Sequence, residues 1–191
     1  MSVLNQSTMM MTGVATTTYA TWNPSDKNSN LGLSNGNLTV SNNVGGAWHS
    51  VRATIGKSSG KWYWETKLIL GTNVDTGVAN TTQSIANTQY PGASVNSWGY
   101  LKVGSVYHSG SVLTTYATYA VNDIIGLALD MDAGTCAFYK NNVLQGTVTG
   151  ISGIFYPMVG LYDLNAQFLA NFGATTMAYT APTGFNQGLH N

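Results

Sequence analysis

Charge is scarce in this chain of 191 residues: seven Lys and Arg balance seven Asp and Glu, and together they make up 7% of the sequence. None of them cluster, so the electrostatic footprint of a nucleic-acid or anionic-membrane surface is missing, and no nucleic-acid partner is expected. Cys136 is the only cysteine, which rules out an intrachain disulfide and a four-cysteine zinc site. Histidine occurs three times, at His49, His108 and His190, without the spacing of a metal motif, so no metal and no cofactor are expected. No uninterrupted apolar stretch approaches the ~20 residues that span a bilayer, so no membrane insertion is expected. The opening "MSVLNQSTMMMTGVATTTYA" has no Lys or Arg before its apolar residues and makes a poor secretory signal. Glutamate appears once, at Glu65, and good helix formers are few.

Uncharged polar residues fill the gap: 24 Thr, 19 Asn and 16 Ser, with 22 Gly. That mixture starves helices and favours strands joined by turns, so the fold class is all-β. The pattern agrees. In "DIIGLALDMDAGTCAFYKNN", Ile125, Leu127 and Leu129 share one face of an extended chain, and Cys136 and Phe138 share one face after the turn. Asn141 and Asn142 then tolerate the positive φ of a second tight turn. Similar short apolar segments, "GNLTVSN", "WHSVRATIG", "GKWYWETKLIL", "TGVAN", "SWGYLKVG", "NVLQGTV", "YPMVGLY" and "QFLANFG", are punctuated by Gly, Asn, Ser, Pro or Asp, the signature of a sandwich or barrel. The chain divides into an arm or leader, residues 1–18, and one β-domain, residues 19–191. Residues 80–96 lack a core pattern and read as an elaborated surface loop, the usual place for recognition residues.

The motifs of catalysis fail one by one. Asp130 and Asp132 flank a turn and lack the further ligands of a calcium loop. "GKSSG" (56–60) is followed by a strand where a nucleophile elbow needs a helix. Glu65 lies in a strand and Asp75, Asp123, Asp130, Asp132 and Asp163 border strands or turns, and nothing selects a pair. Cys136 alternates into the core as a small apolar residue. The formal acceptors at Asn5, Asn37 and Asn80 are a chance product of a chain rich in Asn and Thr. The protein is expected not to be an enzyme.

Six motifs in order, "SGKWYWETKL", "TGVAN", "SWGY", "YHSG", the 122–142 hairpin and "YPMVGLY" closing with "NFG", resemble the SPRY domain. The resemblance implies an antiparallel β-sandwich of SPRY type with an extended N-terminal arm. It also implies a non-catalytic module that presents loops to a protein or peptide, with Trp62, Trp64, Phe138, Tyr156 and Phe172 chiefly in the core. Departures are Asn142, where the family often has Gly, and the polar loop at 80–96. In SPRY-domain SOCS-box proteins a Trp-Gly pair in an "SWG" motif helps line the peptide pocket, and Trp98 and Gly99 match that motif. Tyr90 is the expected aromatic partner, with Tyr107 and His108 on the next turn and Tyr162 and Asp163 closing a later strand. The alternative for Trp98 is a core residue at a strand start.

Two functions stay open. Low charge, the Thr, Asn, Gly and Ser content, the arm and the ending "MAYTAPTGFNQGLHN" suggest a virion component, a bacteriophage capsid decoration or tail-fibre protein. Such a subunit would meet other virion subunits, a protein partner or a surface glycan, as a homo-oligomer or assembled on the particle. The alternative is a cytoplasmic SPRY adaptor that binds a peptide segment of a partner protein, against which stands the lack of a recognisable RING, coiled-coil or SOCS-box segment.

Overall fold

The computed structural model describes residues 16–191; most of the expected arm therefore lies outside the described residues. Fifteen strands run in chain order: β1 (Trp22–Lys27), β2 (Leu31–Ser34), β3 (Thr39–Asn42), β4 (His49–Ala53), β5 (Lys61–Leu70), β6 (Val74–Ala79), β7 (Ser97–Leu101), β8 (Ser105–His108), β9 (Ser111–Thr115), β10 (Ile124–Asp130), β11 (Thr135–Lys140), β12 (Val143–Thr149), β13 (Tyr156–Leu161), β14 (Gln167–Asn171) and β15 (Asn186–Gln187). Among the described residues there is no helix. The strands form two sheets. The first has the order β1-β4-β13-β6-β7-β8-β9 and the second β12-β11-β10-β5-β14-β3-β2, with β15 joining β5. Every pairing is antiparallel except that of β15 with β5. The all-β class is thus what the composition and period predict, and the antiparallel sandwich what the resemblance implies.

The two-residue period decides which side chains meet between the sheets. Ile125, Leu127 and Leu129 of β10 and Cys136 and Phe138 of β11 are wholly buried and pack with Trp22, Trp64, Leu68, Val78, Tyr100, Val159 and Phe172. In register, Leu127 faces Phe138 on one side and Trp64 on the other. A Thr66–Thr76 hydroxyl pair at 3.0 Å joins the layers, so neither buried oxygen is left unpaired. Burial also pushes the Cys136 thiol up, which keeps it un-ionised and inert. Trp62 and Tyr156 depart from the expected core set and are half-buried. Trp62 stands at the rim with its Nε1 donating to the Ser59 carbonyl and the Lys57 ammonium over its ring.

Turn chemistry accounts for the asparagines. Six of the eight non-glycine residues at positive φ are asparagine, Asn35, Asn37, Asn122, Asn141, Asn142 and Asn165, the residue that tolerates this region best after glycine. Asp130 ends β10 at the β10–β11 turn, paired with Lys61 at 2.9 Å and accepting from the Asp132 and Ala133 N–H groups. The C-terminal segment returns across the outer face of the eight-stranded sheet, where Met177, Ala181 and Phe185 cover Tyr63, Ala128, Ala137 and Tyr139. Glu65 pins it: its carboxylate accepts the Ala178 and Tyr179 N–H groups at 2.9 and 2.8 Å and the Tyr63 hydroxyl at 3.2 Å.

Candidate functional site

Residues 80–96 lie over the outer face of the seven-stranded sheet. The loop makes no strand of its own; polar side chains hold it. Arg52, on the outer face of β4, pairs with Asp26 through two N–H groups at 2.7 and 2.8 Å and donates a third to the Gln83 carbonyl. Gln83 is 1% exposed, and its Oε1 accepts the Ser94 and Ser97 hydroxyls. Ser50 donates to the Gln89 carbonyl at 2.7 Å. Two glycines let the loop lie flat. A Cβ at Gly99 would stand 2.1 Å from the Pro91 carbonyl oxygen, and one at Gly160 would stand 3.1 Å from Tyr90 Cβ and from Pro91 Cδ.

This arrangement builds a row of four half-buried rings. Tyr107 meets Tyr90 edge-on at 5.9 Å, Tyr90 leans on Trp48 at 5.0 Å, and Trp48 meets Tyr162 edge-on at 5.7 Å. The Thr88 N–H donates to the Trp48 carbonyl at 2.9 Å, the Gly46 N–H to the Tyr162 carbonyl at 3.1 Å, and the Tyr162 N–H to the Asn73 carbonyl at 3.0 Å. A cleft of about 290 Å3 opens between Trp48, Asn73 and Tyr162. Exposed Val103 borders Trp48, and Leu164 follows Tyr162 at 59% exposure. Rigid aromatic anchors beside a polar rim are the usual composition of a binding hot spot.

Of the residues expected from the sequence, Tyr90, Tyr107 and Tyr162 are brought together here. Asp163 stands beside them as a structural clasp. Its Oδ2 accepts the Thr72 and Asn73 N–H groups and the Thr72 hydroxyl, and its Oδ1 accepts the Asn73 side chain. Burial pushes that carboxyl up, but the donors from Asn73 and Thr72 outweigh it and bring it down to about 2. Trp98 and His108 lie elsewhere. Neighbours along β8 point to opposite faces, so Tyr107 reaches the outer face while His108 turns inward and stacks on Trp98 at 4.2 Å. Trp98 is 4% exposed and belongs to the core cluster. The pair lines a second cleft, of about 480 Å3, bordered by Leu113, Tyr116 and Gly146. Gly99 lies beneath Pro91.

Sequence reasoning missed two residues. Trp48 sits in "GGAWHS" directly ahead of β4, where a large ring between glycines and a strand was a usable signal. Asp75 was read as a strand-border residue. It is fully buried on the outer face of β6, and no donor meets either oxygen in hydrogen-bond geometry. Burial pushes it well above the usual carboxylate range, and the nearby Gly160 N–H offsets only part of this.

An antiparallel two-sheet sandwich carrying an aromatic surface on its loops is the architecture of an interaction module. The SPRY domain family model matches residues 61–175, and the chain belongs to that family, whose members serve in the main as protein-interaction modules. It is 33% identical over 162 residues to the Ran-binding proteins 9/10 homolog of Drosophila melanogaster, covering 80% of this chain and 17% of that one. It is 33% identical over 168 residues to Ran-binding protein 9 of Xenopus tropicalis, covering 83% of this chain and 31% of that one. The chain thus spans less than a third of either relative. The crystal structure of the SPRY domain of human HERC1 superposes with a TM-score of 0.68 at 20% identity, covering 78% of this chain and 96% of that one.

These relatives are cellular proteins of animals, and they overturn the expectation of a bacteriophage capsid decoration or tail-fibre protein, and of the virion as its location. Virion subunits and a surface glycan lose their support as partners with it. The compositional cue misled in part for a physical reason: six of the 19 asparagines hold left-handed turns, a demand of any sandwich with this many reversals.

Proposed function

We propose that the chain is a non-catalytic SPRY module of a cellular protein, and that it binds a peptide segment of a partner across the row formed by Trp48, Tyr90, Tyr107 and Tyr162. The observation that carries this reading is the convergence of these rings from separate elements onto one half-exposed surface. Rings that served only packing would sit between the sheets, as Trp64 and Phe138 do. A cytoplasmic location fits the cellular relatives. Selection from a displayed peptide library with the folded domain is the test. Enriched peptides should lose tenfold or more in affinity for Trp48→Ala and Tyr90→Ala while both variants keep the wild-type melting temperature within a few degrees. Peptides that bind the two variants as tightly as the wild type would refute the site. The relatives' names attach them to Ran, which makes purified Ran the first whole protein to titrate.

A further inference from the structure

The aromatic row has a floor, and the floor is an acid. Asp75 projects from β6 on the same outer face that the loop 80–96 covers, in register with Gly160 of β13 and Leu101 of β7. A Cβ placed on Gly160 would stand 2.5 Å from Asp75 Oδ1 and 3.1 Å from Tyr90 Cβ and Pro91 Cδ. The carboxyl therefore lies directly beneath the Tyr90–Pro91 segment, with Gly160 alone between strand and loop. Neither of its oxygens meets a donor in hydrogen-bond geometry, the nearby Gly160 N–H included, and the residue is wholly shielded from water.

A buried carboxyl without a donor is expensive to retain, since an unmade hydrogen bond in a dry site costs the full desolvation of the group. Folded proteins satisfy nearly all such atoms, so an exception at a recognition surface is a mark of function. Other carboxylates of the molecule show the contrast. Asp163 has four donors, Glu65 has three, and Asp26 is bound by Arg52. Asp75 alone among them has its acceptors free, and it alone lies under the rings. The cover carries local strain. Thr88, two residues before Tyr90, holds φ at 70°, a left-handed conformation that is a strained outlier for a β-branched residue. The loop forms no strand ladder; near this segment its backbone is tied by the Thr88 N–H to the Trp48 carbonyl and by the Gly110 N–H to the Gly92 carbonyl, both at 2.9 Å.

We propose that the partner segment presents a basic side chain, a guanidinium or an ammonium, which enters between Trp48, Tyr90 and Tyr107 as the Tyr90–Pro91 segment lifts, and pairs with the Asp75 carboxylate. This inference rests on the aromatic row being the binding surface. The chemistry of the occupant follows from the floor and the walls together. The floor offers a carboxyl with empty lone pairs, which gives up its proton to solvent when a cation arrives, and it asks for a group that carries both charge and N–H donors. The walls offer ring faces, which attract a cation and shelter the alkyl stem of Lys or Arg. A neutral apolar side chain would use the walls and leave the acid unpaired; an acidic one would supply no charge to stabilise the carboxylate.

Small probes separate the basic anchor from the rest of the surface. Ethylguanidinium and n-butylammonium chlorides, with n-butanol as the neutral isostere, are titrated into the isotopically labelled domain at constant ionic strength, and the Trp48 indole and Gly160 amide resonances are followed. The expected result is saturable shifts for both cations, at least tenfold weaker apparent binding for butanol, and a tenfold or greater loss of cation binding for Asp75→Asn. Asp75→Ser, which carries no charge and leaves room, should behave as Asp75→Asn does. Equal response to the cations and to butanol, or cation binding unchanged in both folded variants, overturns the proposal. The same variants applied to library-selected peptides distinguish the two failures. If Trp48→Ala abolishes peptide binding and Asp75→Asn leaves it unchanged, the surface stands and the basic anchor falls; if neither matters, both fall.

Discussion

Replacing Asp75 by asparagine should make the protein less stable in acid and more stable at neutral pH. The sign follows from the direction of the shift. Burial holds the folded-state pKa of Asp75 well above its usual value, whereas in the unfolded chain it titrates near 3.9. Below pH ~3.9 both states are protonated, and the native protein carries no ionisation penalty from this group. As pH rises toward the folded pKa, the unfolded chain releases its proton and the folded one does not, so wild-type stability falls by about 1.4 kcal/mol per unit. By pH 7 the accumulated loss is at most about 4 kcal/mol, because about three units separate pH 7 from the unfolded pKa. Asparagine has no proton to lose, but its amide buries two N–H donors where the protonated Asp75 buries one O–H, a fixed cost of about 1 to 3 kcal/mol at every pH. The two stability curves should therefore cross between pH ~4 and ~7. The titratable groups that face Asp75, Tyr90 and Tyr119, are themselves pushed up by burial and by Asp75 and stay neutral throughout this window. Urea unfolding of both proteins from pH 4 to 8, compared as differences, removes every other titration common to them. A difference that stays flat with pH would show that Asp75 is ionised and solvated in the native state and would refute the reasoning.

Three further outcomes are expected. His49 is 1% exposed, its Nδ1 lies 2.9 Å from Asn42 Oδ1 and its Nε2 3.0 Å from Asn30 Nδ2, and burial lowers its pKa; the stability it contributes is present above pH ~6.5 and lost as pH falls toward the folded pKa. His49→Gln should flatten that segment of the unfolding profile, and a wild-type slope retained in the variant would exclude His49 as its source. Glu65→Ala removes the acceptor of two backbone N–H groups, and at about 1.5 to 3 kcal/mol for each bond to a charged group it should free residues 174–185 to hydrogen exchange while β10 and β11 stay protected. Trp98→Ala should cost about 3 to 5 kcal/mol, the range for emptying a large aromatic site, in contrast to Tyr90→Ala, which should change the melting temperature little; equal melting points for the two would invert the assignment of core and surface.

Legibility in the sequence tracked the strength of the local physical demand. The hairpin of β10 and β11 could be read because a two-residue period over uncharged residues leaves a strand no other way to bury Ile125, Leu127 and Leu129. Thr, Asn and Gly content indicated the all-β class for the same reason. The candidate site was legible only in part. Tyr90, Tyr107 and Tyr162 stood out as aromatics next to turns, and they converge. Trp98 and His108 looked equivalent, yet one step along a strand exchanges the faces of a sheet, and sequence alone did not say which face was open. Trp48 and Asp75 escaped because their significance arises from contact across more than ten residues of loop: nothing local to "NVDTG" says that Pro91 and Tyr90 will close over it. The virion reading failed where composition was asked to stand for origin, since strand reversals consume asparagine whatever the protein is for.

The two outer faces of the sandwich are covered in opposite ways, and the difference fixes where recognition can occur. On the eight-stranded sheet the C-terminal segment is sealed by apolar contacts from Met177 and Phe185 and by a charged clasp at Glu65; opening it would expose Tyr63 and strip a carboxylate of its donors. On the seven-stranded sheet the loop 80–96 is held by hydroxyls, amides and one guanidinium, and the carboxyl under its tip has no partner to lose. Lifting the Tyr90–Pro91 segment uncovers Pro91 and breaks the Thr88–Trp48 and Gly110–Gly92 backbone bonds, which water can replace, and relieves both the strain at Thr88 and the isolation of Asp75. A surface that binds by rearranging must draw on the less stable parts of a fold, and here the polar attachment of the loop places that part over the aromatic row. Arg52 and Gln83, which tether the far end of the loop through the Asp26 pair, set how far the tip can travel without dissolving the loop. Arg52→Lys, which keeps the charge but loses the two-pronged geometry, should therefore raise hydrogen exchange at residues 83–92 before it lowers the melting temperature, and simultaneous loss of both would mean that loop and sheet unfold as one unit.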